Sequence, residues 1–240
     1  MIGRLAAACL TLYVCFVVCY LQWVNPSRSL MGPQPGIGIA LGVWPSKAIE
    51  FLRSYPPPGR MLNISANAGG PIIWDLYPQQ RVFVDGRFET YPSSFLLESY
   101  QAEQDDALLT KQISQYQPGW IVAEVRSRDI RQRMARLIWE GEWVLVHADT
   151  IFMVLVRNLE ANATYIAAHR LEPGQIAPQD YLDGKSDPDL LALQEIRVAA
   201  LLRDLGQSEM ARDLIRKTEP LGDRYDTVRN ALGEFRRIYP

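Results

Sequence analysis

Hydrophobic and polar positions fall into three regimes along the chain. From Leu5 to Leu21 every residue is uncharged, and the hydroxyl-bearing residues are Thr11, Tyr13 and Tyr20. Leu5 to Val24 is long enough, at about 1.5 Å rise per residue, to span the roughly 30 Å hydrocarbon core of a bilayer. Residues 25–44 then carry prolines and glycines in a pattern that disfavours helix and reads as an extended linker. From Pro45 the alternation becomes that of a globular domain.

Within 45–158 the periods switch between 2 and 3.6. Residues 45–53 predict a short amphipathic helix with Ile49 and Leu52 on one side, stopped by Pro56-Pro57-Pro58-Gly59. Residues 61–64 predict a strand. Gly69-Gly70 predicts a turn into a helix over 72–77, and Arg81-Val82-Phe83-Val84 a second strand cut by Asp85-Gly86. Residues 94–105 and 107–116 read as helices and 120–123 as a strand. Over 129–140, Ile130, Met134, Leu137 and Ile138 make one helical stripe. Residues 143–146 and 151–156 predict a hairpin around His147-Ala148-Asp149-Thr150. Strands alternating with helices predict an α/β sandwich with a mixed sheet, partly parallel and antiparallel at one end.

Residues 159–188 form an irregular connector rich in turn formers. Beyond it, 189–240 predicts a helical tail of three helices whose charges of both signs mark a solvated face. Leu205-Gly206, Ala211, Leu214 and Ile215 resemble the turn and second helix of a tetratricopeptide repeat. A single repeat cannot bury its own face, so the tail is expected to pack as a helical hairpin on the α/β domain or on a partner.

Composition narrows the classes. Cys9, Cys15 and Cys19 all lie in the apolar run, which leaves the rest without disulfides or thiolate metal ligands. A net charge of −2 argues against a nucleic-acid footprint. The apolar run, with Arg4 before it and Tyr20 and Trp23 as interfacial rings, predicts a single-pass anchor in the inner (plasma) membrane. Its short N-terminal flank places the N-terminus in the cytoplasm and the main domain outside it. A cleaved signal peptide is the alternative, although the run is long for one and offers no small-x-small site.

Candidate chemistry is sparse. Gly69-Gly70 suits either a phosphate at a helix N-terminus or a tight turn. Asp85-Gly86-Arg87 stands beyond a strand end, where Asp85 could accept from a sugar hydroxyl and Arg87 clamp a phosphate, or the two charges pair. Asp75 could reach the same rim. Arg126, Arg128, Arg131, Arg133 and Arg136 could meet anionic lipid headgroups or a lipid-linked pyrophosphate, or form a solvated helix face. His147 and Asp149 have no nucleophile elbow beside them and read as hairpin-turn partners. No metal site and no cofactor is expected from this inventory.

The string Gly69-Gly70-Pro71-Ile72-Ile73-Trp74, then Val82-Phe83-Val84-Asp85-Gly86-Arg87 and Tyr91, resembles the extracytoplasmic C-terminal domain of bacterial multi-span, lipid-linked-sugar glycosyltransferases. These are related to the dolichol-phosphate-mannose and oligosaccharyl transferases. The resemblance covers residues 45–157, with Pro71 where the pattern has an aromatic residue. Those enzymes keep their catalytic carboxylates in a many-helix membrane domain, and this chain offers one span. The resemblance therefore implies a non-catalytic accessory or binding domain attached to a membrane glycosyltransferase system, with the bilayer and a multi-span enzyme as partners. The alternative is a small glycan- or phosphate-processing hydrolase built on Asp75, Asp85 and Arg87.

Overall fold

The computed structural model describes residues 44–172, 176 and 188–239, together with Thr11, Tyr13, Phe16 and Val17. The expected span 5–24, apart from those four positions, lies outside the described residues. So do the linker up to residue 43 and most of 173–187. Among the described residues, no helix is long and apolar enough to cross a membrane. The chain divides into two units, Met1–Val43 and Trp44–Pro240, and the second carries all the structure that follows.

The second unit is an α/β fold with a four-stranded mixed sheet and, among the described residues, nine α-helices. In chain order these are α1 (Ser46–Ser54), β1 (Met61–Asn63), α2 (Ala66–Leu76), α3 (Ser93–Ala102), α4 (Asp106–Tyr116), β2 (Trp120–Glu124), α5 (Arg128–Trp139), β3 (Trp143–Ala148), β4 (Phe152–Arg157), α6 (Ala163–His169), α7 (Pro188–Asp204), α8 (Ser208–Gly222) and α9 (Asp226–Ile238). The sheet order is β1-β2-β4-β3; β1 and β2 run parallel, and the other two pairings are antiparallel.

Both faces of the sheet are covered, which is why β2 and β4 read as unbroken apolar runs. Period-2 alternation sorts their side chains. Ile121, Ala123, Leu145, Met153 and Leu155 join one core with α3, α4, α5 and the tail helices α7 to α9. Trp120, Val122, Val144, Phe152, Val154 and Val156 join the other with α1, α2 and Ile166 of α6. A bulge at Val146 breaks the β3–β4 register between Leu145 and His147. The tail thus caps one face of the sheet as part of its core.

Three expectations are corrected. Residues 81–84 are not a strand. The fully buried side chain of Asn63 takes their hydrogen-bonding groups, accepting from Phe83 N at 2.8 Å and Val84 N at 3.3 Å and donating to Val84 O at 2.6 Å. Gly69-Gly70 is no turn either. Helix α2 begins at Ala66, capped by Ser65, and both glycines lie inside it. Finally, the connector is not wholly irregular, since α6 forms within it.

Candidate functional site

Asp85 is 2% exposed and fully engaged. It accepts from Arg87 Nη2 at 2.6 Å, Arg87 Nε at 2.9 Å, Arg87 N at 2.8 Å and Tyr91 Oη at 2.9 Å. The Arg87 hydrogen bond, against the opposing effect of burial, holds the Asp85 carboxyl down at about 2. A carboxylate so placed stays ionised at neutral pH and cannot serve as a general acid. Gly69 explains how the loop comes so close: a Cβ there would sit 2.4 Å from Val84 O and 2.8 Å from Asp85 Cβ.

Asp75 does not join this cluster. It pairs with Arg53 at 3.2 Å and accepts from Trp44 Nε1 at 3.2 Å, so the two aspartates have no partner in common. Among the described residues no group of three or more His, Cys, Asp or Glu is arranged to hold a metal.

The five arginines separate. Arg131 is buried and ties α5 to the tail through Asp204 at 2.8 Å, with further bonds to Val125 O and Tyr239 Oη. Arg133 pairs with Asp106 at 2.5 Å and also donates to Glu103 O; Arg136 pairs with the same Asp106 at 2.6 Å. Arg126 and Arg128 are exposed. A headgroup therefore meets no continuous row of five guanidinium groups.

His147 does hydrogen-bond Asp149, at 3.3 Å, and stacks on Phe51 with ring centres 4.9 Å apart. Asp149 is a structural keystone. Its Oδ1 accepts from Ile151 N and Phe152 N in the hairpin, each at 2.7 Å. Its Oδ2 accepts from Ala48 N at 3.0 Å, capping a helix that Pro45 cannot cap.

The feature that sequence reasoning missed lies next to the Asp85 loop. Helix α2 leaves β1 toward one face of the sheet and α5 leaves β2 toward the other. That divergence opens a crevice at the carboxyl ends of the parallel pair, the place where α/β sheets bind ligands. A cavity of about 270 Å³ lies at the α2 N-terminus, lined by Ser65, Ala66, Asn67, Val84, Phe88, Leu96, Ser99, Tyr100 and Glu103. Phe88 and Tyr100 are 56% and 60% exposed, so their rings form an apolar rim. Ser65 Oγ accepts from Asn67 N at 3.2 Å, which directs its proton to Glu124 Oε1 at 3.4 Å. Ser99 Oγ is buried and, among the described residues, has no hydrogen-bond partner.

Both glutamates are perturbed. Burial raises the Glu103 carboxyl above its ordinary value, and the Glu124 charge raises it further. Burial also raises Glu124, opposed by the Arg126 charge and the Ser65 hydrogen bond. Glu124 carried one readable signal: a carboxylate at the end of a fully apolar strand. Glu103 and Ser99 carried none, because the fold alone brings α3 to this crevice.

The geometry defines an α/β unit whose mixed sheet is covered on both faces, with a cavity at the carboxyl ends of its parallel pair. In comparisons with protein-family models, curated proteins and solved structures, nothing matches the chain.

Proposed function

We propose that the protein is a single-pass, membrane-anchored accessory domain that binds a ligand or partner for a membrane glycosyltransferase system without performing the transfer itself. One observation carries this reading above the hydrolase alternative. Asp85 is saturated by Arg87 and Tyr91, and Asp75 is bound to Arg53 and Trp44, while the adjacent cavity is open and polar groups line it. Glycoside hydrolysis needs two carboxyl groups facing one cleft, one of them protonated at the start. Asp75 and Asp85 do not meet that description.

Two further features support it. The Leu5 to Val24 run has the length and composition of a span. The Gly69-Gly70…Asp85-Gly86-Arg87 string resembles the outer domain of the multi-span enzymes, and the main domain is accordingly proposed to face away from the cytoplasm. The tail offers a docking surface, a groove between α7, α8 and α9 lined by Arg203, Arg212, Ile215, Phe235 and Tyr239.

The test uses membrane vesicles from cells that lack this chain. Transfer of sugar from an endogenous lipid-linked donor should fall and return when the full chain is restored. The purified full chain alone should leave a polyprenyl-phosphate sugar unchanged. Turnover of that donor by the chain alone refutes the accessory reading, and so does transfer unaffected by its loss.

A further inference from the structure

We propose that the cavity at the carboxyl ends of β1 and β2 binds a small organic ammonium ion, a primary amine carried on a ring or short chain. This rests on reading the domain as a binding module, and it names the class of ligand.

The cavity offers acceptors that have no donors. Glu103 lines the cavity and is only partly exposed, and among the described residues its carboxylate forms no ion pair and no hydrogen bond. A half-buried carboxylate left unpaired is costly, and a cationic ligand removes that cost. Ser99 lines the same space and is 94% buried, and among the described residues its Oγ has no hydrogen-bond partner. A buried hydroxyl in that state is an exception in folded proteins and leaves an acceptor free for a donor from outside the chain. Behind Ser65, Glu124 adds a second negative charge that acts on Glu103.

The remaining walls select among cations. An ammonium has three N–H donors and accepts nothing, which matches Glu103 and Ser99 Oγ. The exposed rings of Phe88 and Tyr100 attract a cation by their negative faces and give its carbon body an apolar surface. A metal ion is disfavoured, since no third His, Cys, Asp or Glu stands with the two glutamates among the described residues. An anion is repelled by both carboxylates. A neutral sugar can bond to the polar groups but leaves the repulsion between Glu103 and Glu124 in place. The volume of about 270 Å³ suits one ring.

Calorimetric titration of the full chain in detergent micelles tests the assignment with two amines, benzylammonium and glucosamine, and their neutral counterparts, benzyl alcohol and glucose. At least one amine should bind saturably, and its neutral counterpart roughly tenfold or more weakly. Tighter binding of benzylammonium assigns an apolar body to the ligand, and tighter binding of glucosamine a sugar body. Glu103→Gln should weaken the amine roughly tenfold or more and Ser99→Ala a few-fold, while Glu89→Gln, an exposed charge outside the cavity, should leave it unchanged. Melting curves confirm that each variant is folded; should Glu103→Gln fail to fold, Ser99→Ala and Phe88→Ala carry the test. Equal binding of amines and neutral counterparts overturns the proposal. So does the absence of saturable binding, or full affinity in the folded variants. Failure here leaves the accessory reading standing, whereas donor turnover by the chain alone would overturn that reading and leave this site intact.

Discussion

Replacing Arg131 with methionine isolates a buried ion pair that joins the sheet domain to the tail. The Arg131 and Asp204 side chains are 6% and 3% exposed, and Nε lies 2.8 Å from Oδ2. Arg131 also satisfies Val125 O at 2.6 Å, and Tyr239 Oη bonds Asp204 Oδ1 at 2.6 Å. Methionine keeps most of the volume but leaves the Asp204 charge buried with only neutral donors. Breaking a buried pair from one side costs about 3–5 kcal/mol. For a unit of about 200 residues each kcal/mol lowers Tm by roughly 2–4 °C, so Arg131→Met should melt roughly 6–20 °C lower. The double variant Arg131→Met/Asp204→Leu should regain most of that loss, because an apolar pair needs no compensating charge. Urea titrations followed by circular dichroism measure all three proteins. Hydrogen exchange should show the single variant loosening α7 to α9 before the sheet. A single variant within about 1 kcal/mol of the parent refutes the assignment of Arg131 as the tie. A double variant no more stable than the single refutes the electrostatic account of the loss.

Gly69→Ala should cost several kcal/mol in urea unfolding, since its Cβ meets the backbone at Val84, whereas Gly70→Ala, which meets nothing within 4 Å, should gain about 0.5–1 kcal/mol. Asn63→Ala should lose about 3 kcal/mol or more by the same measurement, because Phe83 N, Val84 N and Val84 O lose their partner in the interior. Acid titration should show the Asp85 contribution. Its folded pKa lies below the unfolded value of about 4, so that stability is present above pH ~4 and is lost as pH falls toward about 2. Allowing for solvent screening of the exposed Arg87, the amount is about 1–2 kcal/mol, and Asp85→Asn should flatten the stability curve over that window.

The sequence pattern is most informative where packing is simplest. Strands β2 and β4 are covered on both faces, so their apolar runs specify strand without ambiguity, and the α5 stripe names its own buried side through Ile130 and Met134. Val82-Phe83-Val84 has the same strand-like composition, yet a side chain 20 residues earlier takes the hydrogen bonds that would have made a ladder. Local composition carries no record of that competition. The arginines make the same point. Arg131 and Arg128 look alike in the chain, and only Asp204, 73 residues from Arg131, decides which one is interior.

The Gly69…Asp85-Gly86-Arg87 string and the cavity have separate roles. Gly69 admits the Val84–Asp85 backbone, Asp85 closes the turn on Arg87 and Tyr91, and Phe88 is thereby set in the cavity wall. The string contributes Val84 to the lining and supplies no charged or polar side chain to it. The groups that would choose a ligand, Ser99, Tyr100 and Glu103, stand on or just beyond α3, outside the string. Substitutions at Gly69 or Asp85 should lower stability without redirecting amine preference in the fraction that folds. Substitutions at Ser99 or Glu103 should change ligand affinity with little loss of stability, and a reversed pattern would place the chemistry back in the string.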